Sequence, residues 1–440
     1  MYSLFAANST MLERIFGIAR QGSTVATEAR AALVTFLTLS YILLVNPQIL
    51  SQTGMPAADV AVATALAAGL ATLLMGLWAN YPFALAPGMG LNAYFTFGVV
   101  GAMGVDWQVA LAAVFVGGIL FLLLAVTGVR TALLRAIPTS LKMAVMSGIG
   151  LFLAIIGMES AGLVVDHPTT LVTLGNLSAP GTLLSIGGLL VMAALLTVRF
   201  RGAILVGILG VTLVSWLTGL TAPPEQYLSL PHLPRETFLA LDFQGLLSGQ
   251  FVTVVLAFLF VDILDTAGTL IGVGMLAGFV DKEGELPRAD RAFAADAVGT
   301  TVGALLGTSP VTSYVESATG VEEGGRTGLT AVFVAGLFFL SLFLTPIFVA
   351  VPGIATAPAL IVVGALMMRG AKDLDWTRAD EAIPAFLTMV GMPLTYSIAH
   401  GITFGIVSYV AIKLLSGRAR EVHPVLFILA VLLILFHVFR

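Results

Sequence analysis

Apolar stretches recur along the chain at roughly 30–51, 58–78, 84–100, 107–128, 138–158, 181–198 and 202–219. A polar, proline-rich stretch from Thr221 to Gln250 interrupts the series, which resumes at roughly 250–279, 291–307, 311–323, 327–350, 355–369, 381–399 and 401–415. About 20 apolar residues carry a helix across a bilayer, so the pattern predicts an all-α polytopic membrane protein with fourteen transmembrane segments, seven in each half. Seven is odd. The second half must therefore enter the membrane with the opposite orientation, which predicts two inverted seven-segment repeats. The chain divides into an N-terminal segment (1–29), a first repeat (30–219), an extracytoplasmic connection (220–249), a second repeat (250–415) and a C-terminal segment (416–440). In the last of these, the apolar run Val425–Val438 either spans or lies along the surface as an extra helix.

The third segment of each half departs from a plain helical span. One reads Ala86-Pro-Gly-Met-Gly-Leu-Asn-Ala-Tyr-Phe95 and the other Ser309-Pro-Val-Thr-Ser-Tyr-Val-Glu-Ser-Ala318. Both are short and broken by proline, and each places a polar residue shortly after it: Asn92 after Pro87, Glu316 after Pro310. Proline removes a backbone donor and resists helix interiors, so each segment is expected to be extended chain followed by a half-length helix. Irregular backbone at membrane depth is tolerated only around a protein-lined or watery cavity, so segments 3 and 10 mark the expected binding site.

Composition removes the alternatives. Of 440 residues, 58% are hydrophobic and 10% charged, and the mean hydropathy is +1.03, which excludes a soluble or disordered chain. The absence of cysteine excludes disulfides, thiolate metal sites and cysteine nucleophiles. A net charge of -4 offers no basic stripe for nucleic acid. With the N-terminus inside, the fourteen segments put Arg130, Arg135, Lys142, Arg199, Arg201, Lys282, Arg288, Arg291, Arg326, Arg369, Lys372, Arg378, Lys413, Arg418 and Arg420 in the cytoplasm, and leave Arg235 outside. That asymmetry is what the positive-inside rule asks of a multi-pass protein in a cell inner (plasma) membrane. Residues 1–28 hold no long apolar core followed by a cleavage site, so the first span is expected to act as the insertion signal.

Charge inside the spans is the strongest chemical signal. Phe258-Leu-Phe-Val-Asp-Ile-Leu-Asp-Thr-Ala-Gly-Thr-Leu-Ile-Gly272 holds Asp262 and Asp265 three residues apart on one helical face, with no lysine or arginine in the span. Intramembrane carboxylates usually line a pathway or take a proton. Asp265 and Glu316 are the expected proton carriers, whereas Asp262 either shares that role or caps a neighbouring half-helix. Asp296 and Glu159 read as structural or interfacial, and His400 as solvated or capping near the outer face. The glycines Gly268, Gly272, Gly274 and Gly278 give small-residue spacing for helix packing. No HExxH, GxSxG or Walker A pattern occurs, so an enzyme or primary pump is not expected, and no cofactor or metal is called for.

Several long motifs resemble one family. Leu91-Asn-Ala-Tyr-Phe95, Phe260-Val-Asp-Ile-Leu-Asp-Thr-Ala-Gly-Thr269, Tyr314-Val-Glu-Ser-Ala-Thr-Gly-Val321 and Gly324-Gly-Arg-Thr-Gly-Leu-Thr330 resemble the AzgA-like purine permeases of the nucleobase:cation symporter-2 family, as do Asn46-Pro-Gln-Ile-Leu50 and Ala382-Ile-Pro-Ala-Phe-Leu387. The resemblance covers nearly the whole chain in order. It implies proton-coupled uptake of adenine, guanine or hypoxanthine, a core domain of segments 1–4 and 8–11, a gate domain of segments 5–7 and 12–14, and a homodimer. By matching position it implies that Asp265 and Glu316 bind the base, that Tyr314 stacks on it, that the Val315 backbone offers a main-chain hydrogen bond, and that Asn92 contributes a polar contact. Related uracil carriers have a histidine four residues after the eighth-segment acid; here that position is Thr269, which favours purine over uracil.

The chemistry agrees with those roles. Guanine presents adjacent N1–H and amine donors and hypoxanthine an N1–H, which a carboxylate can accept. Asn92 can donate and accept. The competing expectation is a sulfate- or bicarbonate-type anion transporter or channel, since such proteins share a seven-plus-seven architecture. Carboxylates at the site would repel an anion, which weighs against that reading.

Overall fold

A computed structural model describes residues 11–127, 136–244, 249–281 and 286–438. Arg130, Arg135 and Lys282, three of the expected cytoplasmic residues, lie outside the described residues. The first half contains α1 (Val25–Leu39), α2 (Ile42–Leu50), α3 (Ala57–Leu74), β1 (Leu85–Pro87), α4 (Met89–Ala93), α5 (Trp107–Thr127), α6 (Thr139–Ser160), β2 (Val164–His167), β3 (Leu171–Leu174), α7 (Pro180–Thr197) and α8 (Ala203–Leu217). The second contains α9 (Gly249–Leu276), α10 (Ala289–Leu306), β4 (Val311–Ser313), α11 (Ser317–Glu322), α12 (Gly328–Ser341), α13 (Thr345–Ala350), α14 (Gly353–Met367), α15 (Ala379–Thr395), α16 (Ile398–Leu415) and α17 (Pro424–Val438). Among the described residues, nine helical stretches are long and apolar enough to cross a membrane. The chain is a mostly helical, multi-pass membrane protein.

The helices pack in two sets. α3, α5, α10 and α12 lean on one another, with α1, α2 and α9 around them, while α6 runs along α14, α15 and α16, and α7 packs on α8 and α14. Fewer contacts join the sets, among them α6 against α4, α8 against α1, α16 against α9 and α14 against α2. One feature was not expected from the apolar pattern: β2 and β3 form an exposed antiparallel hairpin between α6 and α7. Alternating Val-Val-Asp-His and Leu-Val-Thr-Leu runs across a proline turn suit a strand pair, but they are too short to show against the membrane periodicity.

The two proline-broken segments meet in the interior. β1 and β4 pair antiparallel, with Leu85 opposite Ser313, Ala86 opposite Thr312 and Pro87 opposite Val311, and all six residues are buried. Bonds from Gly88 N–H to the Pro310 carbonyl and from Tyr314 N–H to the Ala84 carbonyl, each 2.9 Å, extend the ribbon. A two-stranded ribbon leaves backbone groups unpaired along its outer edges, and no water of a bilayer core is there to satisfy them. Threonine hydroxyls do so instead. Thr72 Oγ1 on α3 accepts from Leu85 N–H and donates to the Leu85 carbonyl, both at 2.9 Å. Thr300 Oγ1 on α10 accepts from Val311 N–H at 3.1 Å and donates to its carbonyl at 2.8 Å.

This makes Thr72→Val a sharp test of the ribbon. Valine keeps the shape but orphans two buried backbone groups, each worth about 1–3 kcal/mol. Thermal unfolding in detergent should show a markedly lower midpoint than wild type; an unchanged midpoint would mean that the edge is satisfied another way.

Candidate functional site

The ribbon delivers the half-helices α4 and α11 against α9. Glu316 stands at the start of α11, and its Oε1 accepts a hydrogen bond from the Tyr41 hydroxyl at 2.8 Å. Tyr41 lies between α1 and α2 and is 1% exposed, so it holds the carboxylate from behind. Asp265, on the middle of α9, has Thr312 of β4 as a hydrogen-bonding neighbour and lies within electrostatic reach of Glu316. The adjacent Thr266 shares a 2.9 Å hydroxyl bond with the same Thr312. Both carboxylates are half-buried. None of the ion pairs among the described residues involves either one.

Val315 is 61% exposed beside Glu316, an unusual placement for valine next to buried strand residues, and its carbonyl accepts from Ala318 N–H at 3.0 Å. Tyr314 is buried, and its hydroxyl donates to the Pro87 carbonyl at 2.5 Å, so the ring is pinned across the start of α4. Thr269 lies one turn beyond Asp265 on α9 and is almost closed. Asp265, Glu316, Val315 and Tyr314 are thus brought together around the ribbon end, with Thr269 at the margin.

Asn92 sits deeper. It is fully buried on α4, and its Nδ2 donates to Asn46 Oδ1 at 3.1 Å. Asn46 in turn donates to Thr64 at 2.8 Å and Thr308 at 2.9 Å, making an amide–threonine network between α2, α3 and the end of α10. The Oδ1 of Asn92 has no partner among the described residues. Burying such an oxygen costs free energy, so it is the one atom of this network left to accept from something that enters.

Asp262 does not cap a half-helix. It is buried on α9 with its Oδ2 2.9 Å from Thr300 Oγ1, so it shares the single hydroxyl proton of that threonine with the Val311 carbonyl. Asp296 on α10 accepts from Ser313 of β4 at 3.0 Å. Both therefore support the strand rather than a helix end, and each keeps one oxygen without a partner among the described residues. Glu159, expected at an interface, accepts from the Tyr396 hydroxyl at 2.6 Å. Of the glycines on α9, Gly268 faces Met146 of α6, whereas nothing approaches Gly272. The residues that sequence reasoning missed are Tyr41, Thr72, Thr300 and Thr312. Hydroxyl residues are common in apolar spans, and only the ribbon shows which of them are needed.

Solved membrane proteins share this fold. The transmembrane domain of a cyanobacterial bicarbonate transporter, BicA, superposes with a TM-score of 0.62, covering 89% of this chain and 97% of that one at 16% identity. SLC26A9 follows at 0.59, covering 93% and 70% at 10% identity. At such identities the likeness defines the fold alone. The sequence goes further: the Permease family matches residues 27–435, and the chain belongs to that family, the nucleobase:cation symporter-2 family. A permease from Methanocaldococcus jannaschii is 50% identical over 421 residues, covering 96% of this chain and 97% of its own. The guanine/hypoxanthine permease PbuO of Bacillus subtilis is 44% identical (95% and 98% covered), and the adenine permease AdeP of Escherichia coli 43% (98% and 96%).

Proposed function

We propose that the protein takes up a purine nucleobase (adenine, guanine or hypoxanthine) across the cell inner membrane, coupled to protons, by alternating access. The observation that carries this reading is the pair of half-buried carboxylates, Asp265 and Glu316, at the meeting point of the broken segments, with no ion-pair partner among the described residues. Full-length relatives named as adenine and guanine/hypoxanthine permeases support it. Asp265 and Glu316 accept the donors of the base and carry the proton. The Val315 backbone supplies a main-chain bond, Tyr314 the aromatic surface, Thr269 the margin, and the unpartnered Asn92 oxygen a further acceptor.

The wider organisation belongs to the same proposal. Fourteen segments form two inverted repeats (30–219 and 250–415) joined by 220–249, flanked by 1–29 and 416–440, with the N-terminus in the cytoplasm. Thr72 and Thr300 give this support, because each follows the same logic on the second segment of its repeat. The set around α3, α5, α9, α10 and α12 acts as core, the set around α6, α7, α8, α14, α15 and α16 as gate, and the working unit is a homodimer. Movement of core against gate exposes the site to either side.

The test is uptake of labelled hypoxanthine by a strain lacking its own purine carriers, in competition with adenine, guanine, uracil and sulfate. Purines should compete and sulfate should not; competition by sulfate alone would replace this reading with anion transport. The same assay decides the role of Asn92. If its oxygen meets the base, Asn92→Ala changes the ranking of the three purines. If it serves only the Asn46 network, the variant loses about 1–3 kcal/mol of stability and all three fall alike.

A further inference from the structure

On the gate side of the site, α6 carries Lys142 in its first turn, one of the basic residues that the charge asymmetry assigns to the cytoplasmic side. On α6, Ile149 packs on Gly90 of half-helix α4, and Met146 lies 3.6 Å from where a Cβ on Gly268 of α9 would sit. Lys142 is four residues before Met146 and seven before Ile149, so it continues the same helical stripe. Farther along, Phe152 meets Tyr396, whose carbonyl lies against Gly98, and Tyr94 meets Phe258, so α6 and α9 run antiparallel. Lys142 therefore lies opposite the Gly272 end of α9. There, among the described residues, nothing lies within 4 Å of where a Cβ on Gly272 would sit, and Ile271 and Met275 are exposed.

Local structure does not account for a lysine at this place. Lys142 is in the first turn of α6, where the helix dipole disfavours a positive charge. It is half-buried and has no hydrogen-bond or ion-pair partner among the described residues. Of the acids on the elements packed around its end of α6, Asp380 and Glu381 are engaged elsewhere and Asp373 is exposed. Glu381 of α15 binds Ser140, Lys413 and Arg378, and Asp380 binds Lys413, Arg378 and Arg418. The turn Met368–Asp373 contributes Arg369, Lys372 and Asp373, and α16 contributes Lys413. On the α9 side stand Asp262, committed to Thr300, and Asp265.

We propose that Lys142 is the counter-charge of the emptied site, pairing with Asp265 once base and proton have left. This rests on the purine reading of that site. By helix rise the two residues are offset by about 10 Å along the helices, so a relative shift of about one turn brings them within reach. A loaded site needs no such partner, because proton and base satisfy its carboxylates. An empty site must cross with uncompensated charge, and an ammonium moving onto it removes that penalty. Lys142 thus acts on the return of the empty carrier and not on the passage of the loaded one.

Purified protein in proteoliposomes separates these steps. Exchange of labelled for unlabelled hypoxanthine uses only the loaded carrier, whereas net uptake into empty vesicles requires the empty carrier to return. Lys142→Gln should slow net uptake about tenfold while exchange stays within about twofold of wild type, and Lys142→Arg should retain both. Lys142→Met supplies a second uncharged variant should the glutamine unfold in detergent. Net uptake and exchange falling together, or neither changing, would overturn the role. Wild-type vesicles that exchange no purine would overturn the purine reading and this role with it.

Discussion

Glu316→Gln is expected to fold normally and to lose most purine uptake. The substitution keeps the shape of the side chain, and an amide oxygen can still accept the Tyr41 hydroxyl that holds Glu316 at the start of α11. What disappears is the negative charge, and with it, on the proposed reading, both the charge-assisted acceptor for a purine N–H and the group that takes a proton. Hydrogen bonds to a charged partner contribute about 1.5–3 kcal/mol against about 1 for neutral ones, so the binding deficit alone reaches roughly tenfold, and loss of proton coupling adds to it. Initial uptake rates beside thermal unfolding of the same preparation give the result. A variant that transports at the wild-type rate with the wild-type pH dependence would remove Glu316 from the role.

For Asp265→Asn the first effect should be on affinity. Thr312 keeps a hydrogen-bonding neighbour on α9, so the ribbon stays in place while the base loses one charged acceptor. A loss of about 1.5–3 kcal/mol in purine binding to detergent-solubilised protein is the expected scale. Equilibrium binding read by ligand-induced thermal stabilisation measures it without requiring transport. Binding equal to wild type would take Asp265 out of the site. The two variants together also test cooperation: carboxylates that grip one base should show losses that do not add.

Much of the architecture is written in the one-dimensional pattern, because a bilayer imposes its own length on every crossing element. The apolar runs by themselves lead to a multi-pass membrane protein without any tertiary information. The prolines at Pro87 and Pro310 mark the broken segments for a local reason, the missing backbone donor. Asp262, Asp265 and Glu316 stand out because charge at membrane depth is costly and rarely idle. Long runs of motif then carry the family.

Pairing is another matter. That Leu85–Pro87 and Val311–Ser313 form one ribbon depends on residues more than 200 positions apart, and no periodicity encodes a contact of that range. The same separation hides Thr72 and Thr300, ordinary threonines until a strand edge needs an acceptor and a donor from one hydroxyl. It also divides two aspartates three residues apart on α9: Asp265 is half-buried near Thr312 and Glu316, whereas Asp262 is fully buried against Thr300 behind β4. Helical spacing places both on one face of α9. Which of them stays half-buried near Glu316 and which is buried on the strand follows from where β4 lies, a position set by the packing of both halves against each other.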